Sequence, residues 1–157
     1  MNAIDRIGEG PWYDPLGRLV APTKADLLHI RPENGDPAIQ NDLPNEDGVP
    51  NHQPDPNVPP QDNHHMLTGS NAEGELYASD ATCQDWTTAD GSSSNGQPRS
   101  GMAWPRGRGT RGAHWISELP APGCAPGIGT EGRPPPGSDK VGSGGGYGGF
   151  YCFAINP

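Results

Sequence analysis

A chain of 157 residues with 24 glycines, 20 prolines and a formal net charge of −9 has the length of one domain and the composition of a loop-rich one. Nearly all of the negative charge falls in the first 80 residues, which leaves no broad basic face for a nucleic acid. No apolar run is long enough to cross a bilayer, so membrane insertion is not expected, and four tryptophans and four tyrosines are too costly to leave in water for the chain to be disordered throughout.

From the N-terminus, MNAIDRIGEGPWYDP has neither a basic n-region nor an apolar h-region and does not read as a signal peptide. GPWYDPLGRLVAP reads as a turn followed by a short strand over Arg18–Ala21. Thr23 stands where an N-cap is needed, so KADLLHI is predicted to be a short helix stopped by Pro32. The Pro-, Asp- and Asn-rich stretch 40–63 has no periodicity and reads as a long loop, either mobile or pinned by an ion. HHML opens a strand, Asn71–Gly74 forms a turn, and apolar residues regain rhythm up to Trp86. ADGSSSNGQPRSG reads as a loop, MAWPRGRGTRGAHWISEL as two tryptophans around a basic loop, and PAPGCAPGIGTEGRPPPGSDK as a further loop.

The chain closes with VGSGGGYGGFYCFAINP, in which a glycine run leads straight into FYCFAI. A continuous apolar run fits a strand covered on both faces. It is predicted to be the closing strand, inserted centrally, with the glycines letting the backbone pass close to packed aromatics. Gly144, Gly146 and Gly149 match G-x-G-x-x-G. That motif binds a dinucleotide only between a strand and a helix, and β-prone residues follow here.

The cysteines are Cys83, Cys124 and Cys152, an odd set that leaves one unpaired or paired outside the chain. None has the C-x-x-C spacing of a structural zinc site. Disulfides imply an oxidising compartment, so an extracellular or cell-surface protein is expected, with its export signal upstream. A core this thin in aliphatics needs such a staple.

Three clusters are candidates for chemistry. Asp62, His64 and His65, with Asp47, His52 and Asp55 upstream, have the donors for Ca²⁺ or Zn²⁺. Their spacing is not diagnostic, and a solvated polar loop is the favoured explanation; no resident cofactor is expected. Arg99, Arg106, Arg108 and Arg111, flanked by Trp104 and Trp115, combine guanidinium forks with flat rings, which suits an anionic sugar. The competing explanation is neutralisation of the acidic half. His114, Ser117 and Glu118 are close in sequence, but neither G-x-S-x-G nor H-E-x-x-H occurs and Cys152 has no neighbouring base, so an enzyme is not expected.

LTGSNAEGELYASDATCQDWTT, with Gly69, Ser70, Gly74, Cys83, Trp86 and Thr87, resembles a segment of endostatin-type domains. Gly123–Cys124 and FYCFAINP are similar to that family's third and fourth cysteine regions, and bacterial secreted proteins of the form C-x-x-W-T, GC, YCFA look closer still. The likeness covers most of the chain and is strongest from Leu67 onward. It implies an α+β fold of the C-type-lectin-like kind, mostly short strands with long loops. Residues 1–157 would be a single such domain lacking its first strand and helix. The family's nested pairing implies a Cys83–Cys124 disulfide and an upstream partner for Cys152. The N-terminal zinc histidines of animal endostatins have no counterpart, and the chain is acidic, so neither zinc nor heparin binding carries over. The resemblance implies a secreted or surface module that recognises a glycan or a protein through loops. The alternatives are an adhesive structural domain without a small ligand, or a metal-dependent enzyme.

Overall fold

Strands here are two to four residues long, because glycine and proline interrupt each run before a ladder can lengthen. A computed structural model describes residues 1–51, 63–91, 96–104, 113–128, 140–142, 146 and 148–154. They form a mixed α+β arrangement of two short helices and several small sheets.

β1 (Trp12–Tyr13) and β2 (Leu19–Ala21) make an antiparallel hairpin. Its turn is built by Asp14, whose carboxylate accepts from the Leu16 and Arg18 amides and pairs with the Arg18 guanidinium at 2.6 Å. Thr23 caps α1 (Lys24–Leu27) as predicted, its hydroxyl accepting from the Asp26 amide at 3.2 Å. The helix is shorter than KADLLHI. The chain turns away after Leu27 and carries Arg31 into the interior.

The central sheet has the order β5-β4-β3-β8. β3 (His65–Leu67) is buried along its length and pairs antiparallel with β4 (Arg99–Met102), which pairs in turn with β5 (Leu119–Pro120). β6 (Ala125–Ile128) and β7 (Lys140–Gly142) form a separate parallel pair. Thus strands run through segments that read as loops. RSGM lacks a β-pattern, yet Gly101 must lie there, because a Cβ on it would stand 1.8 Å from the Trp115 carbonyl oxygen. Close approach of the 113–116 segment, not local propensity, selects that strand.

The closing strand is corrected. β8 (Gly149–Phe150) spans two residues, pairs parallel with β3, and lies at the edge of the sheet among the described residues. Beyond it Tyr151 and Phe153 are half-buried while Cys152 and Ala154 are exposed. The run is extended but covered on one face only, so its apolar continuity did not mean two covers. Cys152 is free and exposed and staples nothing within the described chain.

Cys83 and Cys124 form a disulfide across 5.7 Å of Cα separation, the pairing the resemblance implies. Cys83 opens α2 (Cys83–Trp86), whose φ values of 51, 57, 54 and 63° make it a left-handed turn. The core comprises Leu27, Leu43, Met66, Ala103, Trp115 and Ile116, with Ala21 from the end of β2. Among the described residues no helix is long and apolar enough to cross a membrane.

Candidate functional site

The β1–β2 hairpin and the C-terminal segment meet at Trp12 and Phe153 and leave space beside that contact. Between them lies an open cleft of about 740 Å³, within the size range of small-ligand sites. Its apolar lining comes from Trp12, Tyr13, Met66, Phe150, Tyr151 and Phe153. Trp12 meets Phe153 edge to face at 6.3 Å, and Trp115 behind them meets Tyr151 at 4.9 Å. These T-shaped contacts hold the C-terminal aromatics against the hairpin and fix the ring directions. The Trp12 indole N–H is already spent on the Ile7 carbonyl at 3.1 Å.

Part of the lining is a turn nucleated by Asn45. Its side-chain oxygen accepts from the Asp47 and Val49 amides, and its own amide donates to the Val49 carbonyl at 2.8 Å. That leaves Glu46 exposed at the tip, on the cleft. The turn is braced from behind: Arg18 donates to the Gly48 carbonyl at 2.7 Å while pairing with Asp14, which is only 2% exposed. One ion pair thereby ties the hairpin wall to the turn. The remaining lining amides are committed to each other and to the backbone. Asn51 donates to the Leu43 carbonyl, and Asn63 donates to the Asn51 side-chain oxygen at 3.2 Å.

A second construction stands at the base of the arginine-rich loop. Arg31 is buried, and its guanidinium donates to the carbonyls of Met102 and Ala103 on one stem, Ala113 on the other, and Gln40. The Met102 amide also donates to the His114 carbonyl at 3.0 Å. One cation thus clamps both stems. Burial, opposed by the nearby Tyr151, lowers the Arg31 pKa, and burial raises that of Tyr151, whose hydroxyl has no hydrogen-bond partner among the described residues. Sequence reasoning missed Arg31, because a lone arginine before a proline carries no signal of burial.

The predicted ligand residues divide. Arg106, Arg108 and Arg111 lie outside the described residues. Arg99 sits on β4 with its guanidinium 4.4 Å over the Tyr77 ring and its Nε donating to Ser117 Oγ at 2.8 Å. Trp104 is half-buried against His64 at 5.8 Å. Trp115 is a correction: it is 3% exposed, with its indole N–H donating to the Leu27 carbonyl at 2.8 Å. Its ring packs in the core and lines the cleft.

Of the predicted metal ligands, Asp62 falls outside the described residues, whereas His64 and His65 are buried at 1% and 4% exposure. Their rings stand edge to face at 4.4 Å, and the His64 carbonyl accepts from the Ala103 amide at 2.7 Å. They lie at the sheet and not on a solvated loop. No group of three or more His, Cys, Asp or Glu is placed to hold a metal among the described residues. His114 Nδ1 accepts from the Ile116 and Ser117 amides, and Glu118 accepts from the His114 amide at 2.9 Å. The trio shapes its own turn.

Comparison with protein-family models, with curated proteins and with solved structures finds no match to this chain.

Proposed function

We propose that this chain is an extracellular or surface binding module that takes a glycan into the cleft between the β1–β2 hairpin and the C-terminal segment. The observation that carries the reading is the cleft itself: aromatic faces from two distant parts of the chain meet at an open site whose rim is braced by the Asp14–Arg18–Gly48 contacts. Preformed apolar sites with a few placed polar groups are what small ligands require. The Cys83–Cys124 disulfide supports an oxidising compartment. The same pairing, with the short strands and long loops, supports the C-type-lectin-like fold.

A glycan array probed with the purified, non-reduced protein tests the function. Tyr13 is 59% exposed on the cleft wall, so Tyr13→Ala should weaken binding at least severalfold without lowering the melting temperature. Binding that survives Tyr13→Ala and Phe150→Ala unchanged would remove the cleft from the function. A second reading, anion recognition by the loop from Arg99 to Trp115, is favoured by the Arg31 clamp at that loop's stems. It predicts binding that Arg106→Ala abolishes and Tyr13→Ala leaves intact.

A further inference from the structure

We infer that the cleft selects a cationic sugar, a glucosamine-type oligosaccharide with free ammonium groups, over neutral and anionic ones. The inference rests on the cleft being the binding site. It follows from which groups the lining still has to offer. The Asn45 side-chain oxygen is taken up by the Asp47 and Val49 amides, and Asn51 and Asn63 donate to the backbone and to one another. Trp12 has spent its N–H on Ile7. What remains is carboxylate, the Tyr13 and Tyr151 hydroxyls and aromatic face. No Lys, Arg or His is among the described lining residues, whereas Glu9, Asp14 and Glu46 are.

The three acids are not equivalent. Asp14 is neutralised by Arg18 at 2.6 Å, and Glu9 by Lys24 at 2.8 Å. Glu46 makes no ion pair among the described residues and stands exposed in the Asn45 turn, in the same lining as the aromatics. An anionic ligand would meet an uncompensated carboxylate and no cation. A neutral sugar would find rings to stack on and the tyrosine hydroxyls to bond, but would gain nothing from the Glu46 charge. An ammonium group gains Coulomb attraction to Glu46 and attraction to the ring faces, two interactions the lining supplies. The flat Tyr13 and Phe150 side chains, 59% and 54% exposed, suit a pyranose ring better than a flexible lysine chain.

The test compares ligands that share a sugar ring and differ in charge. Isothermal titration at low salt and about pH 6, where amines are protonated, would use a glucosamine oligomer, the N-acetylglucosamine oligomer of equal length, a galacturonate oligomer and oligolysine. The glucosamine oligomer should bind about tenfold tighter than its N-acetylated counterpart, with the galacturonate oligomer weaker still. Glu46→Gln should remove most of that advantage, bringing the two affinities to within about twofold of each other. Because Glu46 is exposed, the variant should fold as the wild type does. Equal affinity for the acetylated and free-amine oligomers overturns the charge selection while leaving the cleft as a glycan site. Oligolysine binding as tightly as the glucosamine oligomer overturns the choice of sugar. Tightest binding of the galacturonate oligomer overturns the inference and moves recognition to the arginine loop. If none of the oligosaccharides binds, the cleft reading falls together with the inference.

Discussion

The left-handed turn at Cys83–Trp86 sets four successive L-residues at positive φ, and its backbone cost can be measured at Gln84. That residue is exposed, at φ 57° and ψ 57°. An L-residue held in this region loses about 1–2 kcal/mol to the clash of its Cβ with the backbone. Glycine has no such clash, but its freer unfolded chain costs about 0.4–1 kcal/mol. Gln84→Gly should therefore be more stable than Gln84→Ala by roughly 0.5–1 kcal/mol, the difference between the two. Both variants lose the same side chain beyond Cβ, so whatever the glutamine contacts cancels in the comparison. The turn is held by the Trp86 amide donating to the Thr82 carbonyl at 2.7 Å, by the Asp85 amide donating to Thr82 Oγ1, and by the disulfide at Cys83. The substitution relaxes its backbone without dismantling it. Urea unfolding with the disulfide intact, followed by tryptophan fluorescence, should show the glycine variant at the higher midpoint with an unchanged slope. In a thermal scan the gap should be about 2–4 °C per kcal/mol for a chain of this size. Ala38→Gly, in an exposed turn without positive φ, is the control and should move the opposite way. An alanine variant at least as stable as the glycine variant at position 84 would refute the left-handed conformation and the argument built on it.

Removing the disulfide with Cys83→Ala and Cys124→Ala, which opens a loop of 41 residues, should cost about 4 kcal/mol in the chain-entropy model, read from the urea midpoint. A loss under about 1 kcal/mol would show that the loop ends stay together unaided. Gly101→Ala should prevent stable folding or cost at least about 3 kcal/mol, because the added methyl would meet the Trp115 and Ile116 backbone; near-native circular dichroism and melting would contradict the close approach. Burial is the first cause of a lowered His114 pKa, and its neutral Nδ1 accepts from two backbone amides. The unfolded chain therefore binds this proton more readily than the folded one. The stability that His114 contributes is complete above its ordinary value of 6.5 and falls as the pH drops through it. His114→Gln should flatten the decline in unfolding free energy across that window, and an identical pH profile for the variant would refute the assignment.

Local chemistry was legible in the sequence wherever a few neighbouring residues decide it. Thr23 caps a helix because its hydroxyl reaches the third amide on. Asn71–Gly74 turns because an asparagine side chain satisfies nearby amides and glycine accepts φ 76°. His65–Leu67 is a strand because its apolar run pairs on both sides. The family resemblance, and not the spacing, implied which cysteines pair. What remained hidden depends on residues far apart in the chain. Arg31 is buried because it meets carbonyls 71, 72 and 82 positions away, and nothing beside it in the sequence announces that environment. Trp115 looked like a ligand platform from its basic neighbours, yet its indole reaches Leu27, 88 positions back, and seals the core. FYCFAI read as doubly covered because an apolar run records how many side chains avoid water, not how many layers stand over them. Among the described residues Phe150 lies at the sheet edge, and Phe150–Ala154 alternate between exposed and half-buried. The cleft has the same origin: Trp12, Glu46 and Phe153 become neighbours only after folding. Hydrogen bonds and turn geometry act over a few residues and can be read locally, whereas burial and cavities are properties of the packed chain and are decided only by its tertiary structure.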